Sequence, residues 1–468
     1  MKIRIMMAVI AIFFLFYGNA FGKTVRVPGD YSLIQAAIAS AGNGDTVLVG
    51  DGTYKGPGNA NLDLAGKAIL LKSENGPLKC IIDGQGSSRG FYFRNNEGAN
   101  TVVAGFTIIN GYAPLGGGIY CDGASPTISN CRIINNKADF GGGGIACTAA
   151  SFPTITGCEI SENRSDFGGG GGIFIHESTP VITACTITGN RGDKGGGIHC
   201  LKSSPTINRC RIQSNTADLG GGGILCETHS SPSIINSLIS ENVANFGGGG
   251  IYCSNFSSPT ILHCTITNNR AELWNSVNWG GGILSTTSSS PTMTNSIVWA
   301  NAPNQVVLID SGTLLVTYSD IQGGFSGAGN IDSDPLFVGE KDFQLGANSP
   351  CVDKGNPPST GLPGNEHAAL DYLEKSRPQG AGWDMGAYES TGAVNPSNCP
   401  DCSGASVVLE NVTFSAGPPC ECVCTESITI GNGIKVESGA SVTVTAPKVH
   451  IKAFFQAEEG AMVKISQK

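Results

Sequence analysis

Short runs in which apolar and polar residues alternate fill the middle of the chain. Ile119, Tyr120 and Cys121 place Ile and Cys on one face and Tyr on the other. Ile128, Cys131 and Ile133 resume the alternation after a bend. A period of two predicts short β-strands, and no unit holds a ten-residue stretch of helical period. The pattern is also self-similar. Gly-Gly-Ile ends at Ile119, Ile145, Ile173, Ile198, Ile224, Ile251 and Ile283, at intervals of 26, 28, 25, 26, 27 and 32 residues. Pro-Thr-Ile or a close variant begins at Pro126, Pro153, Pro180, Pro205, Pro232, Pro259 and Pro291. An asparagine stands at 136, 163, 190, 215, 242, 269 and 301. Periods of 20–50 residues signify stacked repeats. Each unit therefore reads as one coil of two or three short strands, rising ~4.8 Å per coil, the interstrand spacing.

Stacking explains the unusual residues. Cys131, Cys158, Cys185, Cys210 and Cys264 form one inward column, interrupted by Ser237; Cys121, Cys147, Cys200, Cys226 and Cys253 form another, interrupted by Ile175. Free cysteine is a small, buried hydrophobe that suits a narrow interior. Rungs ~4.8 Å apart also fall within disulfide range, but in-register side chains point in parallel, so reduced packing is expected. The asparagine column is expected to bond turn backbone and the next asparagine. A leucine-rich repeat shares such an asparagine, yet it needs several leucines per unit that are missing here.

Composition narrows the class. Gly is 67 of 468 residues, clustered rather than at every third position, which excludes collagen. Charged residues are only 14% and the net charge is −9, which argues against nucleic acid as a partner. Lys2 and Arg4 precede an apolar run from Ile5 to Tyr17, with Gly18 and Ala20 placed for cleavage. Residues 1–20 thus read as a signal peptide, and no later segment is apolar enough to span a bilayer. Cleavage after Ala20 changes the net charge from −9 to −11. The expected location is secreted, extracellular or at the cell surface.

Val27-Pro-Gly-Asp-Tyr-Ser-Leu-Ile-Gln-Ala-Ala-Ile, followed by Gly44-Asp-Thr-Val-Leu-Val-Gly-Asp-Gly-Thr-Tyr54, resembles the opening of right-handed parallel β-helix proteins of pectin-lyase-like fold. Ser32 can cap a short helix through Ser40, with Leu33, Ala37 and Ile38 covering the open end of the first coil. The units Asn136-Lys-Ala-Asp-Phe-Gly-Gly-Gly-Gly-Ile145 and Asn242-Val-Ala-Asn-Phe-Gly-Gly-Gly-Gly-Ile251 resemble the repeat of polymorphic outer-membrane adhesins. The expected fold is all-β: a single-stranded right-handed parallel β-helix over 24–322 with a small C-terminal β domain. Residues 323–390, with Asp334-Pro-Leu-Phe337 and Asp384-Met-Gly-Ala-Tyr-Glu389, are similar to the closing segment of secreted β-helix proteins. Residues 391–404 read as a linker. Across 405–468, Glu437-Ser-Gly-Ala-Ser-Val-Thr-Val444 recurs as Glu458-Glu-Gly-Ala-Met-Val-Lys-Ile465, which implies a three-turn β module. It resembles coat-hanger-stack modules, and by that analogy would attach the protein to the cell envelope.

Four sets of residues are chemical candidates. Tyr120, Phe174, His199 and Tyr252 follow the Gly-Gly-Ile isoleucines on the outward face, as exposed rings on which sugars can stack, or as ordinary strand formers. The interval from Asn269 to Ile283 is 14 residues where the preceding ones are 8 to 10, and this insertion carries Trp274 and Trp279. Asp139, Asp166, Asp193 and Asp218 each stand three residues after a repeat asparagine. As a column of oxygens they suit Ca²⁺, the one cofactor the sequence suggests; alternatively each bonds its own glycine turn or pairs with Lys137, Arg164 or Arg191. Cys399, Cys402, Cys420, Cys422 and Cys424 can hold zinc or form disulfides.

The resemblance implies relatives that cleave uronic-acid polymers, either as lyases with Ca²⁺-binding aspartates and an Arg or Lys base, or as hydrolases with paired aspartates. No Asp-Asp, Gly-His-Gly, Asn-Thr-Asp, Arg-x-Pro-x-x-Arg or Asp-Pro-His occurs in this chain. The sequence therefore favours a binding or adhesive role toward polysaccharide or cell-surface glycan, without a recognisable catalytic site. A polysaccharide lyase or glycoside hydrolase, and a structural stalk, are the alternatives.

Overall fold

The computed structural model describes residues 22–272, 279–339, 341–346, 348–357 and 368–390, and the strands within 406–467. The expected signal peptide and linker lie outside the described residues. Among those residues no helix is long and apolar enough to cross a membrane. The chain divides into two units, one running to Met293 and including Val298–Leu315, the other made of Thr294–Ile297 and everything from Val316 on.

The first unit is a parallel β-solenoid. Sheet I contains Thr127–Ser129, Thr154–Thr156 and their equivalents; sheet II contains Arg132–Ile134 and Glu159–Ser161. Sheet III contains Tyr112–Leu115, Lys137–Gly141 and Arg164–Ser165, and sheet IV contains Ile119–Asp122, Ile145–Thr148 and Ile173–His176. Each strand pairs in register with the next coil, as Ile119↔Ile145 and Ile145↔Ile173 show. A full coil thus has four strands rather than two or three. The extra one, in sheet III, is as short as two residues, too short for alternation to reveal it.

Isoleucine columns fill the interior. Ile128, Ile155, Ile182 and Ile207 from sheet I, and Ile133, Ile160, Ile187 and Ile212 from sheet II, are all fully buried. Burying such a side chain is worth about 1.5–3 kcal/mol. Both expected cysteine columns are confirmed as buried, and each cysteine from Cys80 to Cys351 is a free thiol.

Buried polar ladders hold the corners. Asn190 Nδ2 donates to Ile160 O at 2.8 Å and Asn215 Oδ1 at 2.9 Å, while Asn190 Oδ1 accepts from the Asn163 amide at 2.9 Å. A serine ladder accompanies it: Ser151 N donates to Ser178 Oγ at 3.1 Å, Ser178 N to Ser203 Oγ at 3.2 Å and Ser203 N to Ser230 Oγ at 3.0 Å. Its signal lay in the sequence, a serine two residues before each repeat proline from Pro153 onward.

The helix near the N-terminus is Ile34–Ser40, one residue shorter at its start than expected. Leu33 occupies the N-cap position and Ser32 does not cap. The free amide of Ile34 is instead taken by Asn59 Oδ1 at 3.1 Å. Leu33 is exposed, and Ile34, Ala37 and Ile38 form the buried face.

In the second unit, Arg377 is buried with Glu389, at 2.6 Å, and also donates to Gly386 O at 2.9 Å. This pair ties the Asp384–Glu389 motif together. The strands within 406–467 form three parallel three-stranded sheets, with Ser406↔Ser427 and Ser427↔Lys448 in register.

Candidate functional site

The residues after Gly-Gly-Ile do form one column on sheet IV: Tyr120↔Ala146, Ala146↔Phe174, Phe174↔His199, His199↔Leu225 and Leu225↔Tyr252. The expected exposure of that column is corrected. Phe174 is 8% exposed and His199 is 0% exposed, while Tyr120 and Tyr252 are half-buried. The glycine run before each strand folds back over the column. Gly141 has φ 152°, and a Cβ there would lie 2.7 Å from Phe174 Cδ1; one on Gly195 would lie 2.8 Å from His199 Cβ. Only glycine lets the backbone pass this close.

Under this cover the column is a network. His199 Nε2 lies 3.1 Å from Glu227 Oε2, and Lys194 Nζ donates to both Glu227 oxygens at 3.0 Å. The His199 hydrogen bond, aided by Lys194, holds the Glu227 carboxyl down at about 2. Burial lowers the His199 pKa. Tyr120 stacks on Tyr92 at 5.2 Å, and the Arg89 guanidinium lies 4.5 Å from the Tyr92 centroid and 5.1 Å from that of Tyr120. Tyr252 Oη accepts from Thr286 Oγ1 at 3.5 Å. Phe174, His199 and Tyr120 are thereby engaged within the protein.

Trp274 lies outside the described residues. Trp279 is half-buried; its carbonyl accepts from Asn304 Nδ2 at 3.5 Å and its indole N–H has no partner among the described residues. The four aspartates do not converge. Lys137 Nζ and Arg164 Nε reach Asp166 at 2.7 and 2.8 Å, and together hold its carboxyl below the usual range. Arg191 pairs with Asp218 at 3.0 Å, Tyr112 Oη donates to Asp139 at 2.9 Å, and the Gly168 amide donates to Asp193 at 2.7 Å. Among the described residues no group of three or more His, Cys, Asp or Glu side chains could hold a metal.

The exposed aromatic surface lies one sheet away. On sheet III the outward column runs Tyr112↔Lys137, Lys137↔Arg164 and Arg164↔Arg191. Just beyond it stand Phe140, 58% exposed, Phe167, 63% exposed, and Leu219, 51% exposed; the two rings lie 6.4 Å apart. These tips face solvent because each directly precedes a glycine turn and follows an aspartate that bonds within the protein. The Asp-Phe-Gly repeat carried the signal, which alternation alone obscures. At Tyr112 the ridge meets a hollow of about 270 Å³ lined by Asn61, Ser88, Arg89 and Pro114.

A parallel solenoid with short in-register strands, buried asparagine and serine ladders and one outward ridge of rings and cations is the class of molecule these features define. The right handed beta helix region model matches residues 40–204 and 143–321, more than half of the chain. The chain belongs to the right-handed β-helix family. Among solved structures it is similar to pectate lyase Pel9A, at 16% identity and TM-score 0.52, covering 80% of this chain and 97% of that one. The PL6 family alginate lyase AlyGC matches at 12% identity and TM-score 0.34, covering 95% of this chain and 80% of that one. The endo-xylogalacturonan hydrolase from Aspergillus tubingensis matches at 15% identity and TM-score 0.26, covering 66% and 99%. Pel9A establishes a shared fold; the other two carry no further argument. No curated protein matches the sequence.

Proposed function

We propose that this protein is a secreted or surface-held β-helix that binds polysaccharide along the ridge of sheet III. The exposed pair Phe140 and Phe167 beside the Lys137, Arg164 and Arg191 column carries the reading. Contiguous exposed rings on a soluble protein mark an interaction surface. Rings one coil apart offer successive platforms to a linear polymer, and the flanking Lys137, Arg164 and Arg191, already paired with Asp166 and Asp218, suit hydroxyl-rich chains. Pel9A, which shares the fold, is by name a pectate lyase, an analogy of fold alone. Catalysis is not part of the proposal: Asp166 is closed by Lys137 and Arg164.

Affinity electrophoresis of residues 21–468 in gels containing pectate, alginate, xylan or β-glucan tests it. The protein is expected to be retarded by at least one polymer. In the double variant Phe140→Ala, Phe167→Ala, affinity falls at least ~5-fold, the effect of losing about 1 kcal/mol of ring contact. Retardation by no polymer would overturn the reading. Release of reducing or unsaturated ends above a heat-killed control would replace it with an enzymatic one.

A further inference from the structure

The N-terminal coils carry an opening that the ridge does not use. Among the described residues no sheet III strand lies ahead of Tyr112. The chain after the strand Gly52–Lys55 and after the strand Cys80–Asp83 turns instead through Gly56–Asn61 and Gly84–Arg89. These two turns and the start of the helix Ile34–Ser40 enclose a cavity of about 450 Å³. Gln35, Asn61, Gln85, Ser87 and Ser88 supply its polar lining, with Pro57 and Ala60 as apolar wall. No lining side chain carries a charge.

One of the polar side chains is held in place before any ligand arrives. Gln35 is fixed by two bonds to the backbone of Asp63, donating to its carbonyl at 2.8 Å and accepting from its amide at 3.0 Å. Asn61 and Gln85 hold left-handed turn conformations, φ 52° and 54°. Both are exposed, and neither side-chain amide has a hydrogen-bond partner among the described residues. The nearby Asp83 is occupied: its Oδ1 accepts from Gln85 N and from Asn110 Nδ2, each at 3.0 Å. The Arg89 guanidinium is held over the Tyr92 and Tyr120 rings, on the side of the adjoining hollow.

We infer that this cavity is a binding site for a neutral pyranose. Each free amide offers a donor and an acceptor, as a pair of neighbouring sugar hydroxyls requires. The volume lies within the ~300–1,000 Å³ of small-ligand sites. Pro57 and Ala60 meet the C–H face of a ring. A uronate or phosphate would lose water here without gaining a counter-charge, so the site discriminates against anions. The inference does not rest on the ridge.

The test is titration of residues 21–468 with the methyl glycosides of glucose, galactose, mannose and xylose, followed by saturation-transfer NMR, with galacturonate as the charged control. The variant pair is Asn61→Gly with Gln85→Gly, because glycine removes the amide yet accepts a positive φ. At least one neutral glycoside is expected to bind, galacturonate to bind more weakly, and the double variant to lose about tenfold in affinity with an unchanged melting temperature. The Phe140→Ala, Phe167→Ala variant keeps this binding in full, even where it loses polymer retention. Binding of no neutral glycoside, equal binding of galacturonate, or unchanged affinity in the glycine variant would each overturn the inference. Failure of polymer retention with glycoside binding intact would overturn the ridge reading alone.

Discussion

The carboxylate of Glu227 sits between a fully buried imidazole and a lysine, and that position fixes its charge. Its pKa of about 2 lies below the ordinary value of 4.5, because His199 and Lys194 bond the ionised form. A depressed acid stabilises the fold fully above the unfolded pKa and loses that contribution as pH falls through the folded one. The loss here runs from about pH 4.5 down to 2. Glu227→Gln is therefore expected to melt below the parent at pH 7, and to lose less in melting temperature between pH 5 and pH 3. Parallel melting curves for the two proteins across that range would refute the assignment.

At the scale of the element, the covered column on sheet IV separates two roles that alternation merges. Phe174 points away from the solenoid interior, as its place beside Ile173 and Ile175 dictates, yet the glycine turn roofs it. Phe174→Ala is expected to lower unfolding free energy by about 3 kcal/mol, through the cavity left beneath the turn. Retention on polysaccharide, measured where both proteins are folded, stays at the parental level. A variant of parental stability that has lost polymer binding would restore the column as a sugar platform. The same element logic explains sheet III. Its inward positions are small, Ala138, Ser165 and Gly192 among them, because the asparagine ladder stands beside them, leaving the outer ridge to carry the large side chains.

At the scale of the molecule, the thiols report the integrity of the solenoid. The chain has 17 cysteines, and the twelve from Cys80 to Cys351 are buried and free. Burial lifts the Cys80 thiol to about 12, and raises Cys121 and Cys200 as well. Buried, protonated thiols are poor nucleophiles. With Cys399, Cys402, Cys420, Cys422 and Cys424 replaced by serine, native protein is expected to leave an aromatic disulfide reagent unreacted, and guanidinium to expose all twelve. Rapid reaction of the native variant would refute close packing of the columns. Much of this was legible in the chain. Intervals near 26 residues, the asparagine column and the two cysteine columns specify a stacked parallel coil, since identical residues at a fixed period can satisfy one another only by stacking in register. The serine ladder and the Asp-Phe-Gly tips were equally present in the letters. What the chain alone left open was which outward side chains meet solvent. That depends on where a glycine turn comes to rest over a neighbouring strand, and on where two turns a coil apart leave a cavity between them. Both are contacts between residues distant in sequence, decided only once the coils are stacked.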